Sequence, residues 1–203
     1  PLGCSHLYLA IEGKLAAVIC VEDPLREEAA DAVRELKEAG ITKVVMMTGD
    51  SERTAAAIAK RVGVDEYYSE VLPEDKASFV EKEKELGHKV IMIGDGINDS
   101  LALSSASVGI AISDGAAIAR EIADVTISAD NLHEIVTLKR LSTALMKRIH
   151  NNYRTIIGIN GGLIALGVTG IIMPTTSALL HNMSTLTISL RSMRNLLPKE
   201  EEA

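Results

Sequence analysis

Gly94-Asp95-Gly96-Ile97-Asn98-Asp99 follows directly on the strand-like run Lys89–Ile93. In this string two carboxylates, Asp95 and Asp99, lie four residues apart across a tight turn. Glycines let the backbone come close to a ligand. Paired acids offer the hard oxygen atoms that Mg²⁺ takes. A phosphoryl group bridging to such an ion has its developing charge neutralised during transfer. Asn98 adds a neutral amide to orient either the loop or a phosphoryl oxygen. Asp-Gly alone would read as an acidic surface turn, but the whole string behind an apolar strand points to a site.

The same alternation recurs on either side of this string. Leu7–Ile11 and Leu15–Val21 read as strands joined by the turn Glu12-Gly13-Lys14. A helix with Leu25, Ala29, Ala32, Val33 and Leu36 on one face stops at Gly40. Lys43–Met47 is a strand ending in Thr48-Gly49-Asp50, after which Ser51 caps a helix to about Val62. Pro73 opens another helix that ends at Gly87. Val108–Ile112 and Val125–Ile127 are further strands, with a helix near Gly115 between them. Strands alternating with helices predict an α/β fold, a parallel sheet wound on both faces.

Ligands in such sheets bind at the carboxyl ends of strands, which selects Thr48–Asp50 and Gly94–Asp99. The Thr48 hydroxyl and the backbone N–H groups around Gly49 are placed to hold phosphoryl oxygens at a helix start. Asp50 assists that loop electrostatically. Lys76, in Leu72-Pro73-Glu74-Asp75-Lys76, is the candidate cation opposite the acids.

Charge changes sharply along the chain. Acids outnumber bases 28 to 21, which argues against a nucleic-acid partner. Residues 155–190 carry no Asp, Glu, Lys or Arg, and such a shift marks a change of solvent. The 19 uncharged residues Thr155–Met173 come close to the thickness of a bilayer core. Pro174 breaks the run and Ser177–Leu190 forms a second, more polar segment. Lys147, Arg148 and Arg154 precede the first segment, and Arg191, Arg194 and Lys199 follow the second. Basic residues at both outer ends predict a membrane hairpin with both ends in the cytoplasm. Cys4 and Cys20 lack the close pairing of a metal cluster and read as small apolar residues in a reducing compartment. The opening Pro1-Leu2-Gly3 reads as a cut end.

Asp23-Pro24-Leu25-Arg26, Thr48-Gly49-Asp50, Leu72-Pro73-Glu74-Asp75-Lys76 and Gly94–Asp99 stand in an order that resembles P-type ATPases, pumps of the haloacid-dehalogenase-like superfamily. The resemblance implies that Asp95 and Asp99 belong to a Mg²⁺ site, that Thr48 and Lys76 contact the phosphoryl group, and that Asn98 supports it. It implies ATP as substrate and an aspartyl-phosphate intermediate. That family's phosphorylated aspartate lies in an Asp-Lys-Thr-Gly-Thr string, which this sequence lacks. Asp75-Lys76-Ala77-Ser78 echoes it superficially, at a helix start instead of a strand end. The nucleotide-binding domain is missing too. The expectation is therefore a fragment of a bacterial cell-membrane pump, which alone neither binds ATP normally nor phosphorylates itself. Residues 1–130 would be the later part of the phosphorylation domain, 131–150 a connecting helix, 151–197 two membrane helices and 198–203 a cytoplasmic tail. The rest of the pump and the lipid bilayer are its expected partners.

His181-Asn182-Met183-Ser184-Thr185 and Ser192-Met193-Arg194-Asn195-Leu196-Leu197 resemble the last helix of the heavy-metal branch. His181 offers an imidazole nitrogen to a transported transition metal, and Ser184 or Thr185 an oxygen. Asn160 is a further candidate. Helix–helix hydrogen bonding is the alternative role for Ser184, Thr185 and Asn160. Zinc, cadmium, cobalt and copper are not separated by these residues. A soluble phosphatase of the superfamily would need its own nucleophilic Asp and no membrane segment, which this sequence contradicts. A non-catalytic split or truncated remnant of a pump is the remaining alternative.

Overall fold

The computed structural model describes residues 5–21, 25–94, 97–112, 121–127 and 131–197. The chain divides into two compact units between Val136 and Thr137.

In the first unit, β1 (Ser5–Ile11) and β2 (Lys14–Val21) form an antiparallel hairpin. Leu7, Tyr8, Leu9, Leu15 and Ile19 remain exposed on it, so the hairpin's apolar residues are not core. The helix α1 (Ala29–Glu38) buries Ala29 and Ala32 and half-buries Val33 and Leu36 on the expected face, while Leu25, also half-buried, precedes the helix. β3 (Val45–Met47) leads to α2 (Glu52–Val62). A short strand β4 (Glu66–Tyr68), absent from the sequence-based expectation, pairs in parallel with β3. Glu66-Tyr67-Tyr68 carries no run of buried apolar residues to announce it. α3 (Pro73–Glu85) precedes β5 (Ile91–Gly94), a 3₁₀ turn at Ile97–Asp99 and α4 (Ser100–Ser105). β6 (Val108–Ile112) pairs in parallel with both β5 and β7 (Val125–Ile127).

Every described strand pairing outside the hairpin is thus parallel. Val80 of α3, Ala102 and Leu103 of α4 and Ile110 and Ala111 of β6 are essentially inaccessible. This small aliphatic core fixes the carboxyl end of β5. Asp23, Pro24, Asp95 and the expected helix near Gly115 lie outside the described residues.

α5 (His133–Val168) runs unbroken through residue 150, where the connecting helix was expected to give way to a membrane span. It stops at Val168, short of the expected Met173. Gly170 adopts a left-handed φ of 72°. Its N–H bonds to Gly167 O at 3.1 Å and the Ile171 N–H to Leu166 O at 3.0 Å. This is the pattern that ends helices at a glycine, and it closes α5 before the uncharged run is exhausted. α6 (Pro174–Ser192) begins at Pro174, which has no N–H to satisfy. No residue of α6 is buried, and Ile156, Ile157, Ile164, Leu179, Leu186 and Leu190 are exposed. Among the described residues, no helix is long and apolar enough to cross a membrane. The early stop of α5 and the polar residues of α6 (His181, Asn182, Ser184 and Thr185 among them) keep both below that level.

Candidate functional site

The tight turn after β5 places Asp99 directly over Gly94. A Cβ on Gly94 would lie 2.6 Å from Asp99 Cβ and 2.7 Å from its Oδ2, so only glycine fits here. Asp99 is the sole buried polar or charged residue among those described. Lys76, in the first turn of α3, donates to Asp99 Oδ1 at 2.8 Å, with the two side chains 16% and 11% exposed. A charge-assisted hydrogen bond of this length, withdrawn from water, is the strong kind. Asn98 lies exposed in the same turn.

Lys76 reaches the turn because α3 begins where it does. Pro73 opens the helix, and Asp75 accepts the Leu72 N–H at 3.1 Å. That bond, from the N-cap amide to the third helical residue, caps the helix N-terminus.

The second group follows β3. The Thr48 hydroxyl donates to Asp50 Oδ2 at 2.7 Å and accepts the Asp50 N–H at 3.1 Å. Ser51 stands at the N-cap of α2, but its hydroxyl pairs with Thr54 Oγ1 at 3.1 Å and not with a backbone amide. The turn after β4 braces this loop. The Glu70 N–H donates to Asp50 O at 2.9 Å and the Val71 N–H to Thr48 O at 3.0 Å. Glu70 holds a left-handed φ of 52° to do so. Glu52 accepts from Tyr67 Oη at 2.8 Å and from Ser69 Oγ at 2.5 Å. The Ser69 bond, then the Tyr67 bond, hold the Glu52 carboxyl below its ordinary range. Sequence reasoning missed Glu52, Tyr67, Ser69 and Glu70, since no motif or spacing marks them.

Two pairs are therefore assembled, Lys76–Asp99 and Thr48–Asp50. No hydrogen bond or ion pair joins one to the other among the described residues, and a Cβ on Gly49, between Thr48 and Asp50, would meet Val71 O at 4.0 Å. The buried Asp99 carboxylate suits a hard cation such as Mg²⁺. No cluster of three or more His, Cys, Asp or Glu side chains occurs among the described residues. Asp95, the other carboxylate of the turn, lies outside them.

In the second unit, His181 Nδ1 meets Asn160 Oδ1 at 2.9 Å. A carbonyl oxygen only accepts, so Nδ1 is the donor in this contact. Ser184 and Thr185 do not join them through their hydroxyl protons. Both donate to the His181 carbonyl, at 2.7 and 3.0 Å, one turn back on their own helix.

A sequence profile of haloacid dehalogenase-like hydrolases matches residues 5–107. Copper-transporting ATPase 2 of Rhizobium meliloti (strain 1021) is 44% identical over 178 residues, 88% of this chain and 21% of that protein. The zinc-exporting P-type ATPase of Mycobacterium marinum is 37% identical over 93% of this chain and 26% of its own length. The chain thus spans about a quarter or less of the curated relatives it matches. The crystal structure of a zinc-transporting PIB-type ATPase in its E2.Pi state aligns with a TM-score of 0.85 at 31% identity, covering 97% of this chain and 32% of that one.

Proposed function

The chain belongs to the haloacid dehalogenase-like hydrolase family, and we propose that within it the protein is part of an ATP-driven pump exporting a transition-metal cation. The observation that carries this reading is the buried Asp99, pressed against Gly94 and paired with Lys76 at the end of β5. A buried carboxylate with one lysine is a costly arrangement for stability alone, and it suits a phosphoryl-transfer site. Relatives that carry copper and zinc in their names cover most of the chain. The alignment with the zinc-transporting structure, over 97% of the chain, cannot omit α5 and α6.

In this reading Asp95 and Asp99 hold Mg²⁺, which when bound would offset charge on the transferred phosphoryl group. Lys76 and the Thr48 hydroxyl bind phosphoryl oxygens, Asp50 orients Thr48, and Asn98 supports the turn. The nucleophilic aspartate and the ATP site lie outside this sequence, in the remainder of the pump. α5 and α6 form the membrane hairpin, with the first unit on the cytoplasmic side of a bacterial cell membrane. Their exposed isoleucines and leucines support that placement. His181 supplies Nε2 to the cation, with Asn160 behind it and Ser184 and Thr185 offering oxygen lone pairs.

The test is metal-stimulated ATP hydrolysis by the full-length protein beside the 203-residue chain. Each is assayed with zinc, cadmium, cobalt, copper(I), manganese and iron(II). Stimulation by one metal, in the full-length protein alone, is the expected result and names the cargo. In the same protein Asp95→Ala should abolish phosphoenzyme labelling from ATP. Normal labelling would remove Asp95 from the site, and no stimulation by any metal would favour a non-catalytic remnant.

A further inference from the structure

The second unit contains a contact that the cation reading leaves unused. Arg148 of α5 reaches the end of α6 and donates to three backbone carbonyls. They are Ser192 O at 3.0 Å, Asn195 O at 2.8 Å and, closer still, Arg194 O. The last carbonyls of a helix have no partner within it, and they form the negative end of its dipole. A guanidinium with five donors in a planar fork can bridge several of them, which an ammonium cannot. One turn along α5, Asn152 Nδ2 donates to Ser192 Oγ at 2.7 Å. The Ser192 hydroxyl passes its own proton to Ile188 O at 2.8 Å.

This lock and the His181–Asn160 bond are side-chain hydrogen bonds between α5 and the α6 end of the chain. Ser192 and His181 lie 11 positions apart, close to three full turns, and so share one stripe of α6. Asn152 and Asn160 are eight positions apart on α5, about 12 Å of rise. The two contacts therefore pin an antiparallel pair at two levels. Freed at the Ser192 level, α6 could slide or turn, and the 2.9 Å bond at His181 would be the first contact affected.

We infer that Arg148 is a positioning residue that fixes the register of α6 on α5 and thereby keeps His181 Nδ1 bonded to Asn160. Nε2 is then the ring nitrogen left for another partner. The effect on cation binding rests on the function proposed above, whereas the effect on register does not.

The experiment uses the full-length protein with ¹⁵N-labelled histidine and reads the His181 ring signals. Arg148→Gln should move the Nδ1 signal away from its hydrogen-bonded position. Arg148→Lys should fail to restore it, because charge without the fork does not bridge the carbonyls. Lys147→Gln, at the exposed neighbouring position, should leave it in place. If Arg148→Gln does not fold, Asn152→Ala tests the same lock through one bond, with a smaller shift in the same direction. Zn²⁺ titration of Arg148→Gln should give roughly tenfold weaker binding, as loss of an outer partner of a metal ligand does. An unmoved His181 signal in Arg148→Gln, or an equal shift in Lys147→Gln, overturns the inference. A signal that follows Arg148 in a protein that binds no Zn²⁺ supports the lock and overturns the cation reading instead.

Discussion

The two polar centres of this molecule are built on opposite principles. In the first unit, Lys76 and Asp99 are full charges held in a nearly dry turn, with a glycine underneath that admits no side-chain atom. In the second, Asn160 and His181 share a single hydrogen bond on helices that carry no Asp, Glu, Lys or Arg from 155 to 190. A charged pair in a low-dielectric turn is sensitive to the loss of either partner, because the other is left uncompensated. A single exposed hydrogen bond between an amide and an imidazole is worth far less. Equivalent substitutions should therefore be felt far more strongly in the first unit than in the second.

The largest effect is expected from Asp99→Ala. It leaves the half-buried Lys76 ammonium without its partner, and removing one member of a buried pair costs about 3 kcal/mol or more. Urea unfolding should show that loss, and phosphoenzyme formation in the full-length protein should disappear. If Asp99→Ala unfolds at the wild-type urea concentration, the turn is not held by charge and the contrast between the two units fails.

Gly94→Ala comes next. The new Cβ would overlap Asp99 Cβ, and strain of this kind typically costs about 1–3 kcal/mol. The variant should retain its fold while Lys76 and Asp99 separate, so that phosphoenzyme formation falls more than stability does. Equal losses in both would mean that Gly94 serves packing alone. In the second unit, His181→Ala should cost the fold about 1 kcal/mol or less. It should leave phosphorylation by inorganic phosphate intact while metal-stimulated turnover falls. Metal stimulation unchanged by His181→Ala would leave the Asn160 pair as a helix-packing contact.

Much of the first unit was legible in the sequence because its information is local. Val108–Ile112 and Val125–Ile127 stand where their apolar runs placed them, and Pro73 opens α3 as its fixed φ requires. β4 was not legible, since Glu66-Tyr67-Tyr68 gains its strand only by pairing with β3. Nor could a motif reveal that Glu70 would adopt a left-handed backbone to brace Thr48–Asp50. The close approach of Asp99 to Gly94 depends on how tightly the turn closes, which residue identity alone does not fix. In the second unit, counting uncharged residues located the helices but overran the end of α5. The stop at Gly170 is set by backbone conformation and not by polarity. Arg148 read as a flanking positive charge, and its three carbonyl partners follow from the helix pairing.

Acid should separate the two units most gently. Asp65 accepts from Lys37 Nζ at 2.7 Å and from the Val44 N–H at 2.7 Å. The Lys37 bond, then the Val44 bond, hold its carboxyl below the ordinary range. A carboxyl whose folded value is depressed contributes stability that is fully present above its unfolded value of about 3.9 and is lost as pH falls through the folded one. Glu66, bonded to Lys43 at 2.8 Å, is lowered in the same way. No acid occurs between Glu134 and Glu200, so α5 beyond its first turn and all of α6 have no carboxyl to protonate. Hydrogen exchange followed downward from pH 5 should therefore show amides around Val44 and Asp65 losing protection first, with those around Asn160 holding theirs. Asp65→Asn should remove part of that slope, because an amide oxygen still accepts the Val44 N–H but no longer carries the charge that Lys37 answers. Both units loosening together in acid would mean that they share one stability, and the contrast between an ion pair and a single hydrogen bond would then be one of chemistry alone.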